Sequence, residues 1–145
     1  MTLGLDRQNE RLLTPKLDGK ARRWLLAMQR CVRDRDYEAA RDLFSAEVFS
    51  FGTLAPTADG IEHLEGDQWR EIWSRTTGFT FELDRARSIS AGDCVCVATP
   101  WRSLGSGSDG ETFERRGRAT LVLARSGDRL VAVHSHFSMW PVADR

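Results

Sequence analysis

The chain has 145 residues, of which 41% are apolar and 29% charged, enough for one globular domain with its own core. Its 21 lysines and arginines equal its 21 acidic residues, so there is no basic excess of the kind that nucleic-acid or membrane-surface partners need. No run approaches the ~18 apolar residues of a membrane span, and the polar N-terminus has no signal-peptide core.

Residues 1–17 have no sustained period and contain Pro15, and are expected to form a flexible lead-in. A single domain is expected over 18–141, with 142–145 as a tail. Asp18 stands where a helix cap should be. Ala21, Trp24, Leu25, Met28 and Val32 then recur at helical spacing, with Arg22, Arg23, Gln29, Arg30 and Arg33 opposite. Asp36 is placed to cap a shorter helix with Tyr37, Ala40, Leu43 and Phe44 on its buried side. Glu47 to Phe51 alternates, which predicts a strand ended by Gly52, and 53–60 is a loop of breakers. A third helix begins between Ile61 and Asp67 and runs to about Arg75. Ile61, Leu64, Trp69, Ile72 and Trp73 make its apolar face, and Gly78 is expected to stop it.

From Phe79 the pattern has a period of two. Phe79, Phe81 and Leu83 alternate with polar residues, and the run continues to Ile89 before a turn at Gly92. Cys94 to Arg102 reads as the next strand, 104–110 as a flexible connection, and two apolar runs around Gly127 and Asp128 as a closing β-hairpin. Cys31, Cys94 and Cys96 cannot all pair, which favours a reducing, cytoplasmic setting. Cys94 and Cys96 share a strand face and read as small core residues. The layout is α+β: three N-terminal helices gathered on one face of a curved antiparallel sheet. Such a sheet closes into a cone, and the apolar mouth of a cone is a natural small-molecule pocket.

The order helix–helix–strand–helix–meander, the Phe-Gly-Thr at 51–53, the Gln-Trp-Arg-Glu-Ile-Trp at 68–73 and the Val-His-Ser-His-Phe-Ser at 133–138 resemble the SnoaL-like branch of the nuclear transport factor 2-like superfamily. The resemblance covers about residues 18–141. It implies a cone-shaped, cystatin-like α+β barrel, commonly a homodimer through the outer sheet face. Its members include ketosteroid isomerases, polyketide cyclases, dehydratases and pocketed proteins without assigned chemistry. Ketosteroid isomerase-like sites use an aspartate base with a tyrosine and a protonated carboxylic acid as oxyanion donors. The single tyrosine here, Tyr37, opens the second helix and reads as a core contact. Polyketide cyclase-like members carry an acidic residue on a late strand, where this chain has Arg118, His134 and His136. Histidine with arginine also resembles the association domain of calcium/calmodulin-dependent kinase, an assembly module.

Candidate chemistry centres on that closing hairpin. His134 and His136 are two apart on a strand, so both imidazoles share a face, and Ser135 points the other way. A neutral imidazole could serve as a general base, or both could be structural hydrogen-bonding groups. With His63 they could form an open zinc site, although no metal or other cofactor is expected. Arg118 could clamp a carboxylate, enolate or phosphate, or pair with Glu82, Asp84 or Glu114 outside the sheet. Arg115 and Arg116 read as solvated. Asp84, Glu62 and Asp59 are the carboxylates expected nearest the mouth. Phe49, Phe51, Trp69, Trp73 and Trp101 would wall a flat apolar ligand. No glycine-rich phosphate loop is visible: Gly105 and Gly107 precede no helix. Two functions therefore stay open. One is a cofactor-free isomerase, cyclase or dehydratase, in which His134, His136 or a carboxylate takes a proton and Arg118 holds the oxyanion. The other is a non-catalytic ligand-binding or assembly module. The expected partners are a second copy and a small apolar or anionic ligand, with neither nucleic acid nor membrane.

Overall fold

The computed structural model describes residues 16–142. Residues 1–15 of the expected lead-in, and 143–145 of the expected tail, lie outside the described residues. Helix α1 (Gly19–Asp34) starts where the Asp18 carboxylate accepts from the N–H groups of Lys20 and Ala21, donors that the first helical turn leaves unpaired. It ends at Arg35, which takes a left-handed conformation with φ 54°. Just before α1 the backbone is pinned to the sheet: the Ser88 hydroxyl accepts from Asp18 N–H and donates to the Lys16 carbonyl. Asp36 caps α2 (Tyr37–Arg41) through Ala39 N–H.

The third helical segment, α3 (residues 61–73), changes pitch midway. Ile61–Leu64 and Arg70–Trp73 are α-helical and flank a π-helical turn at Glu65–Trp69. The wider turn lets Glu65, Gln68 and Trp69 all be buried. The helix ends at Ser74, four residues before Gly78. That glycine instead supplies the extra residue of a bulge in the following strand, at φ 65°.

Among the described residues there are seven strands in chain order: β1 (Phe44–Phe51), β2 (Ala58–Asp59), β3 (Thr76–Phe81), β4 (Arg87–Ala91), β5 (Cys94–Ser106), β6 (Thr112–Ser126) and β7 (Arg129–Met139). They form one curved, unclosed sheet in the order β2-β1-β7-β6-β5-β3, with β4 also paired to β5. The fold is α+β as expected, but the sheet is mixed, because β1 runs parallel to β7. A short 3₁₀ turn, Leu83–Arg85, interrupts the run expected to reach Ile89. Residues 104–106 extend β5 instead of opening a loop. α1, α3 and the concave face of the sheet enclose the core, in which Leu25, Val48, Val95, Val97, Leu121 and Leu123 are fully buried. Among the described residues no helix is long and apolar enough to cross a membrane.

Which residues face that core follows from alternation, with one interruption. On β6, Arg115, Gly117, Ala119, Leu121 and Leu123 face inward. On β7, Leu130 and Ala132 do. Leu123 pairs with Ala132, but its neighbour Val122 pairs with His134, so Val133 has no partner on β6. This bulge exchanges the faces of everything after it. Ser135 is therefore buried, while His136 is exposed. Cys94 and Cys96 lie half-buried on the outer face, outside the core where they were expected, and with buried Cys31 they are free thiols.

Candidate functional site

Between α1, α3 and the concave sheet lies a hollow in which the centre of a water-sized sphere has ≈ 50 Å³ to move, several times what one water needs. Its walls are mostly aromatic. On the helix side Trp69 and Trp73 stack at 4.9 Å, and Tyr37, which does not itself line the hollow, stacks on Trp73 at 5.2 Å. On the sheet side Phe79, Trp101 and Phe137 stand with centroids 5.8–6.4 Å apart. Met28, Val32 and Leu64 close the apolar surround. The first helix, α3 and five strands, β1, β3, β5, β6 and β7, thus each contribute to the wall. Gly117 makes the sheet side possible: a Cβ there would lie 2.1 Å from the Ser138 carbonyl and 2.3 Å from the Trp101 ring.

A few polar groups interrupt these walls. The Gln68 carboxamide accepts from Leu54 and Ala55 N–H at 2.9 and 2.8 Å and donates to the Thr53 hydroxyl at 2.8 Å. It thereby holds the 52–55 loop beside the hollow. Gly52 leaves room for that carboxamide: a Cβ would lie 2.4 Å from the Gln68 oxygen and displace it from this arrangement. Ser135 and Ser50 share a buried hydrogen bond of 2.7 Å. Two donors are poorly matched. The buried Trp101 indole Nε1 has no hydrogen-bond partner among the described residues. Arg115 as a whole residue is 9% exposed, and its guanidinium lies 5.4 Å from the Trp101 ring centroid. Its acceptors are the Ser103 hydroxyl at 3.5 Å and the Met139 thioether at 3.6 Å. No carboxylate reaches it among the described residues, and burial pushes its pKa below the usual arginine value.

The residues expected from sequence divide between the two faces. Phe51, Trp69, Trp73 and Trp101 line the hollow. His134, His136 and Arg118 do not, because the bulge at Val133 turns the imidazoles to the outer face and Arg118 alternates with the inward Gly117 and Ala119. His134 Nδ1 donates to the Phe49 carbonyl at 2.6 Å, and its ring packs on Phe49 and Phe51. Arg118 and His136 border an open outer groove with Arg85, Arg87 and Trp140. Glu82, one candidate partner for Arg118, pairs instead with Arg85, Arg102 and Arg116. Glu62 is exposed at the start of α3, and Asp84 sits in the 3₁₀ turn; neither lines the hollow. His63 accepts from Asp59 N–H and pairs with Asp67 at 2.7 Å. Among the described residues no three His, Cys, Asp or Glu side chains converge to hold a metal.

Arg115, read from sequence as solvated, is the charged group that reaches the hollow. It shares its parity with Leu121 and Leu123, but the other parity, with Val122, is partly apolar too, so the pattern alone did not single it out. Gln68 and Ser135 were also missed as site residues. A second buried charge lies behind the wall: Glu65, 8% exposed, takes hydrogen bonds from Arg41 at 2.5 Å and Arg70 at 2.8 Å. Chiefly the Arg41 bond, with Arg70 adding to it, holds its carboxyl below the ordinary value against the opposing effect of burial.

No curated protein matches the chain. Among solved structures it is similar to a nuclear transport factor 2-like superfamily protein from Salmonella enterica, at 16% identity over 84% of this chain and 89% of that one, TM-score 0.72. It is also similar to a ketosteroid isomerase-like protein from Erwinia carotovora, at 12% identity over 92% and 99%, TM-score 0.70. The association domain of CaMKII from C. elegans aligns at 21% identity over 80% and 90%, TM-score 0.61. At such identities these likenesses establish the fold. The model of the SnoaL-like domain matches residues 22–143, and the chain belongs to that family.

Proposed function

We propose that this SnoaL-like domain binds a small, mostly apolar, carbonyl-bearing molecule in the aromatic hollow. The observation that carries this reading is the wall itself: stacked Trp69 and Trp73 on one side, Phe79, Trp101 and Phe137 on the other, and few polar groups to fix orientation. Isomerase, cyclase or dehydratase chemistry on such a molecule requires a proton acceptor. The lining holds no carboxylate, imidazole or phenol among the described residues, which favours binding over proton abstraction. The three free thiols support a reducing, cytoplasmic setting.

Acetophenone, a small aryl ketone, is a suitable probe. It should change tryptophan fluorescence saturably, and Ile72→Trp, which adds bulk at a half-buried lining position, should abolish the change. Absence of saturable binding, or equal binding by Ile72→Trp, would overturn the reading. Protein-dependent exchange of the ketone's methyl protons in D₂O would restore the catalytic alternative.

A homodimer through the outer sheet face is the accompanying proposal. Phe49, Ile89 and Leu104 are 41–46% exposed on outward positions of three strands, apolar surface that a second copy would cover. Light scattering should give twice the chain mass, falling to one in Phe49→Glu with Ile89→Glu. A monomeric wild-type protein would refute it.

A further inference from the structure

Resting on the pocket reading, we infer that the ligand's polar head is an anionic carboxylate, paired with Arg115 and seated against the indole edge of Trp101. A guanidinium carries five donors. Here they meet one hydroxyl at the limit of hydrogen-bond distance and one thioether, a weak acceptor. A buried charge without a counter-charge is costly to the fold, so a group of opposite charge is what the site lacks. The second poorly matched donor in the same wall is the Trp101 N–H, buried and unpartnered among the described residues. Two donors, one of them forked and cationic, suit two carboxylate oxygens.

Charge and size narrow the class further. One positive group lines the hollow and no negative one does among the described residues. A monoanion is thus neutralised, whereas a phosphate dianion would bring one unpaired charge into an apolar space. The limited room, ≈ 50 Å³ for the centre of a water-sized sphere, and the flat rings on both sides suit a body of one aromatic ring. The ligand class is therefore a single-ring arylalkanoic or aromatic monocarboxylic acid.

Phenylacetate and phenylacetamide have the same shape and differ in charge, so calorimetric titration of both at pH 7 tests the assignment. Wild-type protein should bind phenylacetate at least ~tenfold more tightly. Arg115→Met should lose that preference while still binding phenylacetamide. Arg115→Lys, which keeps the charge but loses the fork, should retain part of it, and serves if the methionine variant does not fold. Phenylacetamide binding as tightly as phenylacetate in the wild type would overturn the carboxylate assignment while leaving the pocket intact. Loss of all three probes, acetophenone included, would overturn the pocket and the assignment together.

Discussion

Among the described residues two charged residues, Glu65 and Arg115, are buried as whole residues, and they are kept in opposite ways. Glu65 sits in the π turn of α3, clasped by Arg41 and Arg70. Arg115 sits near the start of β6, facing a hydroxyl, a thioether and the face of an indole. Both are less than a tenth exposed. The π turn needs its carboxylate: Glu65 joins α2 to α3 and fixes the helix that carries Trp69 and Trp73. The β6 strand has no comparable need of a cation, since Ala119, Leu121 and Leu123 show what its inner face holds elsewhere. The charge with its partners supplied belongs to the scaffold; the one left short of partners is where we place the ligand's carboxylate.

The contrast fixes the sign of two substitutions. Glu65→Gln should lower stability at pH 7 by about 1–2 kcal/mol, less than a fully buried pair would lose, because both guanidiniums still reach water. Urea unfolding would measure it. Arg115→Met, similar in length and apolar, should act in the other direction, raising stability by up to ~1 kcal/mol while removing phenylacetate binding. If Arg115→Met instead costs as much as Glu65→Gln, the two charges are alike and Arg115 is a structural residue.

The helices were legible because caps and apolar spacing act locally: Asp18, Asp36 and the Ala21-to-Val32 stripe all act as read. The aromatic walls were legible only in part: Phe51, Trp69, Trp73 and Trp101 line the hollow, but Phe49 faces outward, and Phe79 and Phe137 were not singled out. Strand facing was not legible, and on β7 the failure has a single cause. Leu130 and Ala132 are inward, so unbroken alternation would carry His134 and His136 inward too. The unpaired Val133 reverses that, and a bulge is set by how two strands fit together, which no periodicity within one of them records. On β6 both parities are partly apolar, with Thr120 and Val122 on one and Ala119 and Leu121 on the other, so Arg115 and Arg118 could not be ordered by pattern alone. The parallel β1–β7 pairing is a long-range contact of the same kind. The π turn escaped because Glu65, Gly66 and Asp67 break the apolar spacing that its wider pitch accommodates.

Acidity separates the two buried charges most finely. The Glu65 carboxyl is held below its ordinary value of 4.5, first by the hydrogen bond from Arg41 and then by that from Arg70. As pH falls, the unfolded chain therefore takes up this proton before the folded one does. The stabilisation from Glu65 is complete above about pH 5.5 and is lost as pH falls through its depressed folded-state value. The stability difference between wild type and Glu65→Gln should thus stay constant from about pH 7 to 5.5 and shrink below that. Arg115 does not titrate anywhere in this range, so the difference between wild type and Arg115→Met should stay flat through the same series. Urea midpoints at stepped pH would show both curves. A Glu65 difference unchanged down to about pH 3 would mean that the two guanidiniums do not hold the carboxylate, and the distinction between a partnered and an unpartnered charge would then fail at its better-supported end.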